Sequence, residues 1–362
     1  MKKRLALLSA VLGVGVLLPS PAEAVKIRVD ENSYLNVMYR QKIKATFEDD
    51  GAVFGIDGAR ITMKGKIGGI VYFGTNIDAT TKGGEGDSLF QEKVTDAFFG
   101  LKFHDALRIQ AGLFRVPFSR VSLTTSYSYI VPTGYNETSL ENNSKLFGRL
   151  DSLFSVLGTD GKFRDGQLVI WGNVADGLLR YHLAYGNGSV ATGDTKNVIG
   201  ARIQFTPTML GFKPEKGYVL KDTYLGKKNV LTVGVGYQSE QFNTGTVTGI
   251  AADLFWEQNF GAVVPGLQIG YTQWKSENQD ASTLTYAQGS LVSGQKVGLG
   301  QVGLSVKWVN ENIANQDPKS WVDVYLGYYL AGHKAVIYVG ADNVSGPEGT
   351  KAKPTLYLRS MF

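Results

Sequence analysis

The chain contains no cysteine. Disulfide scaffolds, thiol catalysis, Cys-ligated iron–sulfur clusters and cysteine-containing zinc sites are therefore excluded. Histidine is scarce, with only His104, His182 and His333 to serve as metal ligands or catalytic bases. Charged residues make up 19% of the chain, below the roughly 25% of ordinary soluble domains. Beyond residue 24 no apolar run approaches the ~20 residues of a transmembrane helix, so any membrane-spanning role falls to strands. Glycine, by contrast, is abundant at 45 residues, beside 18 Tyr and 18 Phe, a balance that favours strands and turns. With 43% hydrophobic residues the chain has the composition of an ordered protein.

The N-terminus predicts its own removal. Lys2, Lys3 and Arg4 precede an almost continuous apolar run from Leu5 to Leu18, which ends at the small-x-small pattern Ala22-Glu23-Ala24. Residues 1–24 read as a secretory signal peptide, because a run of about 14 apolar residues is too short to span a bilayer. Losing three bases and Glu23 lowers the formal charge from +5 to +3. Net charge alone then identifies no anionic partner.

The mature chain, residues 25–362, is dominated by period-two alternation, the mark of strands with two unlike faces. From Leu35 to Thr46 the odd positions Leu35, Val37, Tyr39, Ile43 and Ala45 are apolar, while Arg40, Lys42 and Lys44 stand on the other face. The pattern recurs with Arg60, Lys64 and Lys66 opposing Ile61, Met63 and Ile67, with Arg108 opposing Leu107 and Ile109, and with Arg180 and His182 opposing Leu179, Leu183 and Tyr185. It returns with Arg202 opposing Ile199 and Ile203, with Lys307 opposing Val306 and Trp308, and with Arg359 opposing Leu356 and Leu358.

Alternation alone would also suit a soluble sandwich. Two further features point to a membrane barrel: apolar faces that end in Tyr, Phe or Trp, and connections that alternate between short and long. Tight turns are expected at Gly68-Gly69, at His104-Asp105-Ala106 and at Gly332-His333, and long links at 80–93, 116–164, 275–282 and 310–319. Residues 207–228 form a long link on the side that should carry short turns. Strands are expected to begin near 34, 55, 70, 94, 107, 164, 178, 197, 229, 248, 266, 282, 298, 319, 334 and 353. The stretch 282–291 alternates poorly, but an even strand count requires it. The fold class is all-β, a transmembrane antiparallel barrel of about sixteen strands whose backbone groups can all be paired.

Residues 111–126, AGLFRVPFSRVSLTTS, and 222–238, DTYLGKKNVLTVGVGYQ, resemble the phosphate-selective porin O and P family of Gram-negative outer membranes. Phe362 is similar to the terminal aromatic of such barrels. The resemblance implies a sixteen-stranded homotrimeric channel in outer-membrane lipid, with the third external loop folded inward, and 116–164 matches that loop by position and length. It assigns Arg115 and Arg120, within the matching motif, to the constriction. Lys145 and Arg149 are further candidates by position and charge. Where family members often continue into an aromatic-acidic-Arg segment, this chain reads Tyr129-Ile130-Val131-Pro132-Thr133, without a charge.

If the apolar faces meet lipid, the lumen is lined by Arg40, Lys42, Lys44, Arg60, Lys64, Lys66, Lys102, Arg108, Arg180, Arg202, Lys307 and Arg359, against fewer inward acids, Asp96, Asp253, Glu257 and Asp323. Rings of Arg and Lys favour anions such as phosphate, so an anion-preferring diffusion pore is expected. The competing reading is a general or weakly cation-tolerant porin whose bases pair with acids. Against it, Arg40, Lys42 and Lys44 are expected to neighbour Arg60, Lys64 and Lys66 without matching carboxylates. No cofactor, metal site or nucleic-acid partner is indicated: the histidines lack helical ligand spacing, and Gly83-Gly84-Glu85-Gly86 lacks the Lys-Ser/Thr of a phosphate loop. A barrel enzyme would have to bring a distant serine to His182, and an adhesin would more naturally have a filled lumen and large external domains.

Overall fold

A computed structural model describes residues 25–49, 51–80, 91–133, 164–187, 197–242, 245–277, 280–312, 314, 317–342 and 352–362. Residues 1–24, expected to be a signal peptide, and the expected constriction residues Lys145 and Arg149 lie outside the described residues. The strands are β1 (Val25–Arg28), β2 (Tyr34–Glu48), β3 (Gly51–Ile67), β4 (Val71–Thr80), β5 (Gln91–His104), β6 (Leu107–Arg115), β7 (Arg164–Val174), β8 (Leu179–Gly186) and β9 (Val198–Phe205). They continue as β10 (Val230–Phe242), β11 (Gly245–Glu257), β12 (Val263–Ser276), β13 (Ser282–Ser293), β14 (Gln301–Asn312), β15 (Lys319–His333), β16 (Ala335–Asp342) and β17 (Lys353–Met361).

Each strand from β2 to β17 pairs antiparallel with the next, and β17 pairs with β2, closing a sixteen-stranded barrel. β2 shares its closing edge: Arg40–Thr46 pairs with β17, whereas Tyr34–Val37 pairs with the short β1. Phe362 finishes the seam, exchanging backbone hydrogen bonds with Tyr39 at 2.8 and 3.1 Å and stacking on its ring. The weakly alternating 282–291 stretch is a full strand, β13, bonded on both sides.

The barrel is inside out relative to a soluble protein. Outward side chains such as Leu183, Ile203 and Leu304 are 50–54% exposed, while inward Arg202 and Lys307 are 1% and 0% exposed. In water so large an apolar surface would be costly; in a bilayer the same faces are solvated, and the closed ladder leaves no strand edge to lipid. Gly68 and Gly69, at φ +56° and +79°, make the turn between β3 and β4 through backbone angles that side chains disfavour.

Four connections differ from the expected pattern. On the loop rim, β2–β3 and β10–β11 are joined by only two residues each, so that rim is not uniformly long-looped. The last tight turn centres on Lys334, because β15 continues through His333. On the opposite, turn rim, residues 206–229 do not lie across the mouth. They rise into the lumen and join the long loop after β6, pairing Leu220 with Thr124 in a parallel bridge.

Candidate functional site

Segments enter the lumen from both ends. Residues 116–133 leave β6 and run down the inner wall, where Phe118 packs on Trp274 with Val116, Val247 and Ala251. Ser119 caps the helical turn Arg120–Leu123 through a capping box with Ser122. Beyond it, Tyr129 meets Tyr286, Val309 and Trp321, and Ile130 and Val131 enter an apolar cluster with Leu225, Tyr325, Tyr338 and Tyr357. The uncharged stretch 129–133 receives its charges from the wall. Arg359 and Tyr338 donate to the Tyr129 carbonyl at 3.1 and 2.8 Å, and Lys307 donates to the Thr133 carbonyl at 3.0 Å.

The link from the turn rim is fixed to this loop and to the wall. Leu220 donates its N–H to the Leu123 carbonyl at 2.9 Å and accepts from Thr125 at 3.1 Å. Asp222 accepts from the Ile130 N–H at 2.8 Å and from Gln288 at 3.0 Å. The Glu257 carboxylate accepts from the Thr223 hydroxyl and from the backbone N–H groups of Tyr224 and Gly226 at 2.7–2.9 Å. Burial pushes the Asp222 carboxyl above its ordinary range despite its donors.

Arg120 lies at the meeting point. Its guanidinium grips both Glu215 oxygens at 2.7 and 3.0 Å, donates to the Lys221 carbonyl at 2.7 Å, and lies 3.8 Å from the centre of the Phe255 ring. It is fully buried. Burial acts to raise the Glu215 carboxyl, but the charge and hydrogen bonds of Arg120, with the Tyr224 hydroxyl, outweigh it and hold the group below the ordinary range. Arg115 is also buried and donates to the Ser122 carbonyl at 2.9 Å. Both arginines thus contact the inserted segments, Arg115 through the loop and Arg120 through the link.

The cross-strand register places the twelve basic wall residues on one inward face. Their pairing corrects the expectation of bases without matching acids. Lys42 pairs with Asp57 at 2.5 Å, Lys44 with Asp342 at 3.5 Å, and Arg60 with Asp78. Asp57 has the wrong parity for an inward residue, but a bulge at Lys42/Ile43 skips it in the register and brings it to Lys42. Elsewhere Arg202 grips Asp253 at 2.7 Å, Lys307 meets Asp323 at 3.0 Å, and Arg164 meets Asp96 at 3.1 Å. Arg180 lies over Trp171, whose other neighbours include a stacked His182. At the turn rim Lys102 and Arg108 share Asp105 at 2.8 and 3.0 Å.

Five of the twelve differ from the paired bases: among the described residues Arg40, Lys64, Lys66, Arg180 and Arg359 form no ion pair. Arg40 is held under Tyr127 of the inserted loop, 5.4 Å from the ring centre, beside Arg60 at 5.3 Å and Lys42 at 6.0 Å. Lys64, although inward, is exposed. Tyr127, which the sequence reading passed over, organises this basic wall. Its spacing from Arg120 could have suggested a place on the loop, but not its partners.

His104 accepts from the Ala106 N–H in its turn. His333 is not a surface histidine: it lies within hydrogen-bonding distance of the Thr223 carbonyl and of Arg359. Among the described residues no three His, Asp or Glu side chains converge as metal ligands.

A family model described as phosphate-selective porin O and P matches residues 34–263. An uncharacterized protein of Aquifex aeolicus (strain VF5) is 27% identical over 226 residues, covering 57% of this chain and 50% of that one. The chain therefore spans about half the length of the curated relative it matches. Among solved structures, OmpF of Salmonella typhi, in complex with daunomycin, shares 13% identity at a TM-score of 0.62, over 93% of this chain and 100% of that one. The anion-selective porin of Comamonas acidovorans shares 13% at 0.59, over 91% and 100%. A trimer form of OmpT from Vibrio cholerae shares 14% at 0.55, over 92% and 100%. At these identities the structures establish the common fold.

Proposed function

This chain belongs to the phosphate-selective porin O and P family of outer-membrane channels, and from that premise we propose that it admits small hydrophilic solutes by passive diffusion with a preference for anions, inorganic phosphate among them. The observation that carries the reading is the division of charge between buried and wet surface. Between the rims the described inward carboxylates are enclosed: Asp57 and Asp78 are 22% and 14% exposed at the side chain, and Asp96, Asp253, Asp323, Glu215 and Glu257 are buried. The wet charges there are basic. Lys64 on the wall and Lys221 and Lys227 on the inserted link are exposed, and Arg40 is half-buried. A passing anion therefore meets cations whose counter-charges lie elsewhere, which lowers its cost of leaving bulk water.

The pore acts without catalysis. Ser128 uses its hydroxyl to bond the Thr125 carbonyl and the Asp222 N–H, and His182 is stacked on Trp171. Homotrimeric assembly is part of the proposal, supported by the trimer form of OmpT, and the segment 116–164 is its constriction loop. The test is the reversal potential of purified protein in a planar bilayer under a potassium chloride gradient. A potential on the chloride side supports the reading; one on the potassium side shows a cation-tolerant general porin; absence of channels in folded protein favours an enzyme or adhesin.

A further inference from the structure

Between the wall of β7–β9 and the inserted link lies a buried guanidinium without a counter-charge. Arg120, Arg180 and Arg202 are 0–2% exposed, and the carboxylates beside them are Glu215 and Asp253. Each carboxylate is already gripped at both oxygens, Glu215 by Arg120 at 2.7 and 3.0 Å and Asp253 by Arg202 at 2.7 Å. The buried acids Asp222 and Glu257 are engaged by donors on the loop, on β13 and on the link. Arg180 forms no ion pair among the described residues, and none of its three guanidinium nitrogens has a hydrogen-bond partner.

The polar groups around it are unpartnered as well. Arg180 lies opposite Asn173 on β7 and Gln204 on β9, and two residues along the same face His182 lies opposite Trp171 and Arg202. Both ring nitrogens of His182, the Gln204 Oε1 and the Arg202 Nε have no partner. The Gln204 amide donates to Glu215 at 3.4 Å, which ties the group to the link.

The link closes over these side chains. Tyr218 stands edge-on to Trp171 and His182, with ring centres 5.2 and 5.4 Å away, and the Lys216 carbonyl accepts from Asn173 at 3.3 Å and Arg108 at 3.4 Å. A Cβ on Gly177 would lie 2.5 Å from Pro214, so the link is also seated tightly on the turn between β7 and β8. Arg180, His182 and Gln204 are buried beneath it, out of contact with the water path. A buried charge is tolerated when it is paired and hydrogen-bonded. Arg180 brings five N–H donors to this enclosure and finds no acceptor among the described residues.

We propose that the enclosure is a structural anion site, in which one small monovalent anion, with chloride as the test case, is bound by Arg180 and a His182 N–H between the barrel wall and residues 214–218. Neutral imidazole keeps one N–H donor, so one ring nitrogen serves the anion. One guanidinium calls for one negative charge, which a dianion would overcompensate. The occupant is locked in as the link docks and does not travel with the current. The site is therefore independent of which ions the pore prefers.

The experiment is the unfolding midpoint of the purified protein, read by heat-modified gel mobility, as sodium gluconate is exchanged for sodium chloride at constant ionic strength. An anion bound only by the folded state raises the midpoint as its concentration rises, so the parent should gain stability with chloride and R180M should not. In gluconate alone R180M should melt above the parent, because an apolar side chain then replaces an uncompensated buried charge. A parent midpoint that ignores chloride, or an equal rise in R180M, would overturn the site. Crystals of the parent protein soaked in sodium bromide test the position without any variant. An anomalous peak beside Arg180 and His182 is expected there, and its absence would overturn the proposal.

Discussion

Arg120 and Glu215 form a fully buried, two-pronged ion pair at 2.7 and 3.0 Å that joins a loop entering the barrel from one rim to a link entering from the other. Neither segment has a hydrophobic core of its own. Their shared anchor is this pair, the Leu220–Thr124 bridge and the apolar cluster around Ile130 and Leu225.

Breaking the pair from one side should therefore loosen both segments. R120M or E215A leaves one buried charge uncompensated, which destabilises by about 3–5 kcal/mol. The double variant R120M/E215A should lose less than the two single losses combined, a coupling that a thermal series read by heat-modified mobility measures directly. Open-channel noise should rise in the single variants.

Gly236 is a second point of contact for the outer loop. A Cβ there would lie 1.9 Å from the Phe118 carbonyl oxygen, so Gly236→Val should displace the loop from the wall while the ladder of β10 persists. Single-channel conductance should increase. A conductance equal to that of the parent would show that the loop does not limit flow.

Neutralising the wet bases should change selectivity without much change in stability. K64Q and R40Q are each expected to lower the chloride-to-potassium permeability ratio, and K64E should lower it further by reversing the charge. Among the paired wall bases, K307Q should instead act on stability, because Lys307 is buried against Asp323 and the Thr133 carbonyl. Bilayer recordings beside melting curves separate the two classes.

The turn after β5 makes a pH prediction. Hydrogen bonds from Lys102, then Arg108, hold the Asp105 carboxyl down at about 2. A depressed carboxyl contributes stability that is present above its unfolded value and is lost as pH falls through the folded one. The turn should thus keep its ion pairs to about pH 2, and a carboxyl carbon NMR titration should show a midpoint there that rises in K102Q. The contribution to stability is small, since the aspartate side chain is 46% exposed.

The sequence by itself determined the barrel. Period two, an even number of segments and turn residues such as Gly68-Gly69 are local properties, and closing the ladder in lipid leaves little choice once they are given. Even β13, weak in pattern, was demanded by parity. The same locality explains what the sequence left unread. Asp57 reached Lys42 through a bulge that changes parity without marking the sequence, and Asp342 came from the far end of a strand fourteenth along the barrel from β2. Above all, the meaning of 207–228 depended on where its acids would find partners. Glu215 and Arg120 are 95 residues apart, and no periodicity connects them. Tertiary structure decided that the link turns inward, because only inside the barrel can Arg120, Gln288 and the loop backbone satisfy its two carboxylates, while Lys213, Lys216, Lys221 and Lys227 stay exposed.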